Sequence, residues 1–285
     1  MICGKEVAGI GLFSFLKKDG SKPKAYVFVD FEHWYVSMYK RYSLRPRVRE
    51  WRDMLAEKYD IREMLFFADF SNPGMRAEIP RIREVSNLII ETQNTSPHYK
   101  KDFTDFIMLD NIYQKAFSSP DVDVFIIFTG DGHFSSVVRF LTQSCRKKVY
   151  VYSVKDGLSG MLKSVCTKAY ETPSERDIDV TYYSMIAKKL KEADTTGKRF
   201  PDPSFSAVVA AVSDHYGVDR ETVKEKANKM AHEGYLTVKT NRLSSSKRIS
   251  TVALNESKLA ADGVALITDP AYLMIPNRSA EKQSN

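Results

Sequence analysis

Short apolar runs that stop at an acidic residue recur in the first half of the chain. The run Val124–Phe128 is followed by Thr129, Gly130, Asp131 and Gly132, and apolar residues then return at helical spacing. The run at residues 25–29 is likewise followed by Asp30. Runs of this length and composition are typical of central parallel strands, which are covered on both faces. The pattern therefore predicts two buried strands, each followed directly by an acid.

The alternation of apolar runs and amphipathic stretches continues to about residue 173. Further strands are predicted at residues 61–70, 87–91 and 147–154, and helices at 32–42, 49–59, 75–85, 100–116, 134–141 and 160–170. Strands separated by helices favour an α/β fold, a parallel sheet with helices on both faces. Ligands bind such sheets at the carboxyl ends of the strands, where Asp30 and Asp131 are expected to meet. Clustered carboxylates repel one another, so a divalent cation is expected between them.

The pattern changes beyond Pro201-Asp202-Pro203. Two amphipathic helices are predicted at residues 205–216 and 220–233, and two alternating runs at 235–240 and 249–254 predict a β-hairpin with a basic tip. Helix, helix and hairpin in this order resemble a winged helix. The predicted organisation is a tail at 1–24, an α/β domain at 25–173, a connecting helix and linker at 174–202, a winged-helix-like domain at 203–265 and a tail at 266–285.

The composition of the chain indicates what kind of partner it binds and in which cell compartment it works. The 285 residues include 43 Lys and Arg against 36 Asp and Glu, a net charge of +7. A basic balance favours a nucleic-acid partner, although many soluble proteins are as basic. The three cysteines show neither metal-binding nor pairing spacing, which is typical of a reducing compartment. No apolar run approaches the roughly 20 residues of a membrane span. We expect a cytoplasmic protein with no membrane association.

Three stretches carry acids in a definite order. They are residues 28–33, which include Asp30, then Lys101 with Asp105 and Asp110, then residues 128–134, which include Asp131. Together they resemble the NYN family of PIN-like, metal-dependent ribonucleases over about residues 25–173. The resemblance implies a PIN-like Rossmannoid sheet, an acidic cluster that holds Mg²⁺ or Mn²⁺, and cleavage of RNA. By position, it carries the family's acidic residues over to Asp30, Asp105 and Asp131.

Some positions depart from the family pattern. His133 stands where a second Asp is usual in the last motif, and His33 stands where Asn is common after the first Asp. The spacing from Asp105 to Asp110 is one residue short. Three acids remain, which suffice for one metal ion, and a second metal is left open.

The resemblance implies roles for residues around the three acids, which would hold Mg²⁺ and so lower the pKa of a bound water. Thr129 is expected to orient this water or a phosphate oxygen. His133 is expected to ligate Mn²⁺ or to shuttle a proton, and Lys101 to contact phosphate. The alternative for His133 and Lys101 is that they are solvated residues at helix ends. Asp102 is expected to cap the helix that follows it, and Asp110 is either a surface residue or a supporting acid.

The C-terminal module offers candidate phosphate contacts. They are Arg220, Lys224, Lys226 and Lys229 on its second helix and Arg242, Lys247 and Arg248 at the hairpin tip. The predicted function is a metal-dependent endoribonuclease that acts on RNA, with DNA open as a substrate, and whose C-terminal module helps to hold nucleic acid. One alternative is a non-catalytic nucleic-acid-binding or regulatory protein with a site impaired by His133. Another is a C-terminal module used for protein interaction or homodimerisation.

Other acid-dependent α/β domains fit less well. Haloacid-dehalogenase chemistry needs an Asp two residues after its nucleophile, where this chain has Glu32. A receiver domain needs a Lys in a set position, and Lys155 is the nearest candidate.

Overall fold

A computed structural model of the chain describes residues 21–92, 103–193, 200–242, 244–246, 248–268 and 270. Most of the tail expected at 1–24 lies outside the described residues, as does nearly all of the tail expected at 266–285. Lys101, Asp102 and Lys247 also lie outside them.

Six parallel strands form one sheet in the order β3-β2-β1-β4-β5-β6. They are β1 (Lys24–Asp30), β2 (Asp60–Ala68), β3 (Leu88–Glu91), β4 (Val124–Phe128), β5 (Lys148–Val154) and β6 (Lys168–Thr172). The predicted α/β fold with a parallel sheet is confirmed. The strand order reverses between β1 and β4, and such a switch point is where open α/β sheets bind their ligands.

Helices cover both faces of the sheet. They are α1 (Phe31–Tyr42), α2 (Val48–Lys58), α3 (Pro73–Arg76), α4 (Ile79–Arg83), α5 (Phe103–Ser118), α6 (Ser135–Arg139) and α7 (Gly160–Val165). A 3₁₀ turn, Gly132–Phe134, precedes α6, and a π turn, Phe140–Ser144, follows it. Successive side chains of a strand point to opposite faces, so Ala25, Val27 and Val29 enter one core while Tyr26 and Phe28 enter the other. This double burial explains the continuous apolar runs.

The sixth strand corrects the helix predicted at residues 160–170. Helix α7 ends at Val165, and β6 begins at Lys168. Strand β6 is an edge strand that pairs with β5 alone, and its two exposed residues, Lys168 and Glu171, are charged. It therefore lacks the apolar run that marks a central strand. Its Tyr170 packs instead on Tyr152 of β5, with ring centroids 4.8 Å apart.

The predicted C-terminal helices and hairpin strands occur in the expected order and are followed by a short helix that was not predicted. They are α8 (Glu175–Glu192), α9 (Phe205–Tyr216), α10 (Arg220–His232), β7 (Leu236–Arg242) and β8 (Arg248–Leu254), and the short helix is α11 (Glu256–Ala261). Strands β7 and β8 pair as an antiparallel hairpin. Helix α8 packs against both α9 and α10, so the three helices form one unit that begins at Glu175. The helix expected to be a connector is thus the first helix of this unit.

Among the described helices, none combines the length and the apolar character that a bilayer crossing requires.

Candidate metal centre

Asp30 and Thr129 come together because β1 and β4 are adjacent and in register. Val29 lies opposite Phe128, so the next residues of the two strands meet at the carboxyl edge of the sheet. The Thr129 hydroxyl donates to Asp30 Oδ2 at 3.2 Å and accepts from the Asp131 backbone N–H at 3.2 Å. Thr129 is fully buried. Its hydroxyl therefore links the Asp30 carboxylate to the Asp131 backbone, and the role expected for Thr129 towards a water or a phosphate oxygen stays a prediction.

A cluster of three ligand-type side chains lies above this edge. His133 Nδ1 is 3.3 Å from Asp131 Oδ1 and 3.9 Å from Asp105 Oδ2. Asp131 also accepts a hydrogen bond from the His133 backbone N–H at 2.9 Å, which caps the 3₁₀ turn and holds the two residues together. The side-chain exposures rise from 16% for Asp105 through 39% for Asp131 to 68% for His133. The cluster therefore opens to solvent on the His133 side.

Asp30 is close to this cluster but lies inside the protein. It caps α1 by accepting from the His33 backbone N–H at 3.0 Å. Burial raises the pKa of Asp30 to about 7, and the charge of Asp105 acts in the same direction, while hydrogen bonds from His33 and Thr129 oppose the rise.

His133, rather than Asp30, completes the group of side chains close enough to share one ion. Within the described part of the chain, the ligand atoms that all lie within 4.8 Å of one another belong to Asp105, Asp131 and His133. Two carboxylates and one imidazole fit a divalent cation. Carboxylate oxygens suit Mg²⁺ and Mn²⁺ alike, whereas an imidazole nitrogen favours a transition metal such as Mn²⁺.

His33 is a further candidate functional residue. In the sequence it stood out only because the NYN pattern commonly has Asn at this position. Its Nε2 atom is buried and has no hydrogen-bond partner among the described residues. Burial lowers the pKa of His33, and the charge of Asp131 opposes that effect, so the imidazole lies within reach of the acid's field.

Gly130 allows His33 and a neighbouring loop to approach the cluster. A Cβ at Gly130 would lie 2.7 Å from His33 Nε2 and would overlap the backbone oxygen of Gly157, which follows β5. The small residue directly before Asp131 was the signal in the sequence for this close packing.

A model of the NYN domain matches residues 24–175, just over half of the chain. The chain belongs to the NYN family. This assignment supports a PIN-like, metal-dependent nuclease, and the acidic and histidine side chains above lie within the matched NYN domain. A crystal structure of a Vibrio parahaemolyticus protein of unknown function is 22% identical, with a TM-score of 0.50 over 55% of this chain and 97% of that one. That likeness concerns the fold. No curated protein matches the chain.

Outside the NYN domain, the basic residues predicted on α10 already have acidic partners. Lys226 and Lys229 reach the buried Asp179 of α8 at 2.9 and 2.5 Å. Arg220 pairs with an acid of α9, and Lys224 pairs with an acid of its own helix. These charges are therefore neutralised within the three-helix unit, which a search for basic residues along the sequence does not show.

The hairpin tip differs from α10. Arg242 and Arg248 are exposed and lie directly opposite each other across the two strands. The Arg242 guanidinium donates to the carbonyl oxygens of Ser244 and Ser245 at 3.3 Å. Two like charges in this arrangement are unfavourable unless an anion lies between them.

Proposed function

We propose that this NYN protein is a metal-dependent endoribonuclease that hydrolyses RNA phosphodiester bonds at Asp105, Asp131 and His133. The observation that carries the proposal is the convergence of these three side chains at the switch point of an NYN sheet. A bound Mg²⁺ or Mn²⁺ would supply a water of lowered pKa and would neutralise charge on the scissile phosphate.

The role proposed for each residue of the site follows from how far its side chain is buried. Asp105 and Asp131 would supply the carboxylate oxygens that hold the cation. His133 is the most exposed member, so it would add a nitrogen ligand on the solvent side of the cation. Thr129 and the buried Asp30 position the strand ends behind the cluster.

The decisive variant is Asp131→Asn. Asn caps a helical turn about as well as Asp, so the bond to the His133 N–H and the fold should be retained while a metal-binding charge is lost. We expect cleavage of labelled RNA in Mg²⁺ or Mn²⁺ to fall by at least about 100-fold, and wild-type cleavage to cease in EDTA. Wild-type rates in the variant would reject a role for Asp131 in catalysis.

His133→Asp separates the catalytic proposal from an impaired site. Replacing the imidazole by a carboxylate should move the metal preference from Mn²⁺ towards Mg²⁺. Cleavage by the variant alone would show that His133 had disabled the natural site. If neither protein cleaves RNA or DNA with either metal, the non-catalytic nucleic-acid-binding alternative replaces this proposal.

We further propose that the winged-helix-like module contacts RNA phosphates through the hairpin tip rather than through α10. The paired Arg242 and Arg248 support this assignment, because the α10 cations have acidic partners. Replacing both arginines by Ala should make the slope of log affinity against log salt concentration shallower. The expected change is that of losing about two phosphate contacts. Arg52→Ala on α2 serves as the control. An unchanged salt dependence in the double variant would favour protein interaction or homodimerisation for this module.

A further inference from the structure

Two of the most exposed apolar side chains in the described structure lie on the two helices, α5 and α7, that contact the turn carrying His133. Phe106 follows Asp105 in the first turn of α5 and is 66% exposed. Met161 lies in the first turn of α7 and is 61% exposed. Helices α5 and α7 both contact the 3₁₀ turn that carries His133. Single exposed apolar residues need no explanation, but two on helices that meet the same polar turn indicate a contact surface.

The helical phase of α5 places the Phe106 ring on the side that faces α6 and the π turn. Residues 106, 113 and 117 lie along one side of a helix. The rings of Tyr113 and Phe117 lie 5.2 and 5.7 Å from the ring of Phe140 in the π turn. Phe106 begins the same stripe at the level of Asp105, and it makes no ring contact with another described residue. Among the described residues, its ring is therefore left uncovered in the helical turn that carries Asp105.

The surroundings of this surface are suited to a polyanion. Arg139 at the end of α6 and Lys163 on α7 are exposed, and neither forms an ion pair with another described residue. Helix α6 packs against both α5 and α7, so the two cations belong to the same side of the NYN domain as Phe106 and Met161.

We propose that Phe106 and Met161 form a platform on which unpaired bases of single-stranded RNA stack, so that an intervening phosphate faces Asp105, Asp131 and His133. This inference rests on the proposed ribonuclease function and names two side chains that would position its substrate. Base–aromatic stacking tolerates any sequence, because every base has a π-face, and a thioether also makes favourable contacts with aromatic rings. The bases of an RNA duplex are paired and stacked, and they cannot reach such a platform.

Binding of a fluorescein-labelled single-stranded oligouridylate to the full chain in EDTA tests the platform, because binding is then measured without cleavage. Phe106→Ala should weaken binding by roughly 5- to 100-fold, the effect of losing one base–aromatic stack, and Phe106→Trp should retain it. Phe117→Ala is the matched control, since Phe117 is 74% exposed on the same helix but lies three turns from the site. Its binding should stay within about twofold of the wild type.

Several results would overturn the platform. These are wild-type affinity in Phe106→Ala, equal losses in Phe106→Ala and Phe117→Ala, a duplex of the same length bound as tightly as the single strand, or no binding of single-stranded RNA at all. The platform and the catalytic proposal fail separately. Phe106-dependent binding without cleavage in Mg²⁺ or Mn²⁺ would remove catalysis alone, whereas metal-dependent cleavage with unchanged binding in Phe106→Ala would remove the platform alone.

Discussion

At the scale of single residues, the buried carboxyl group of Asp30 makes the stability of the fold depend on pH. Its pKa of about 7 exceeds the ordinary value of 3.8, mainly because of burial and also because of the charge of Asp105. A folded protein with such a group binds a proton more tightly than the unfolded chain. The stability that Asp30 contributes is therefore fully present below about pH 4 and is lost as pH rises through 7.

This sign leads to a prediction for the metal-free protein. In EDTA, the wild type should lose up to about 4 kcal/mol of unfolding free energy relative to Asp30→Asn between pH 4 and pH 8. Comparing the two proteins cancels the pH dependence of other titrating groups. One of them is His33, whose pKa is lowered by burial. Urea denaturation across this range measures the difference, and Mn²⁺ should reduce it by neutralising the neighbouring Asp105. A difference that does not change with pH would contradict the buried, protonated state of Asp30.

Gly130 gives the second prediction at this scale. A side chain there would collide with the Gly157 backbone and with His33 Nε2, so Gly130→Ala should cost about 1–3 kcal/mol through overpacking. Gly160→Ala is the matched control, because nothing lies within 4 Å of a Cβ at Gly160 and alanine is the better helix former. Denaturation midpoints compare the two variants. Equal stability would show that the loop after β5 moves aside without cost.

At the scale of elements, one buried acid joins the C-terminal helices α8 and α10. Asp179 on α8 accepts from Lys226 and Lys229 on α10. Burial alone would raise the pKa of Asp179, but the two lysine hydrogen bonds outweigh it and hold the pKa below its usual range. The stability from this cluster is therefore present at neutral pH and is lost as pH falls through the lowered pKa.

Asp179→Asn should destabilise the protein by about 3 kcal/mol at pH 7, because it leaves two lysines without their charge partner beside a largely apolar core. Asp214→Asn on α9 is the control. Asp214 also pairs with a basic residue, Arg220, at 2.9 Å, but both side chains are exposed and the expected cost is below about 1 kcal/mol. Thermal or urea unfolding measures both variants. A cost for Asp179→Asn no larger than that of its control would mean that α10 is held by apolar packing alone.

At the scale of the whole molecule, one hydrophobic core connects the sheet with the three-helix unit. Buried side chains between the sheet and its helices, such as Tyr152 of β5 and Trp51 of α2, belong to the same cluster as Ile186 of α8 and Val212 of α9. The other face of the sheet has a separate core beneath α5 and α6. The NYN domain and the C-terminal unit are thus packed together through α8.

A shared core predicts cooperative unfolding. Tryptophan fluorescence reports the sheet, because Trp34 and Trp51 are buried beside β4, whereas far-UV circular dichroism reports all the helices. The two signals should give one coincident urea transition. Asp179→Asn provides a contrast, because it weakens the attachment of α10. In this variant, the circular dichroism signal should be lost at a lower urea concentration than the fluorescence signal. Two separated transitions in the wild type would show that the sheet and the C-terminal unit fold independently.

The sequence by itself determined the strand, acid and helix order around Asp30 and Asp131. This succeeded because the signals are local: apolar runs mark strands buried on both faces, and a carboxylate that directly follows a strand caps the next turn. The NYN motifs repeat the same local order, so the family was also predictable. Strand β6 was missed because an edge strand needs only one partner and carries no continuous apolar run.

The tertiary structure alone decided which side chains share the candidate metal centre and which charges are free. Asp30 and His133 are both polar residues beside a strand end, but one points into the core and the other into solvent, and this direction depends on the packing around them. Lys226 and Lys229 meet Asp179 across about 50 residues of sequence. Local periodicity sets the elements, whereas burial and ion pairing depend on distant segments that only the folded chain brings together.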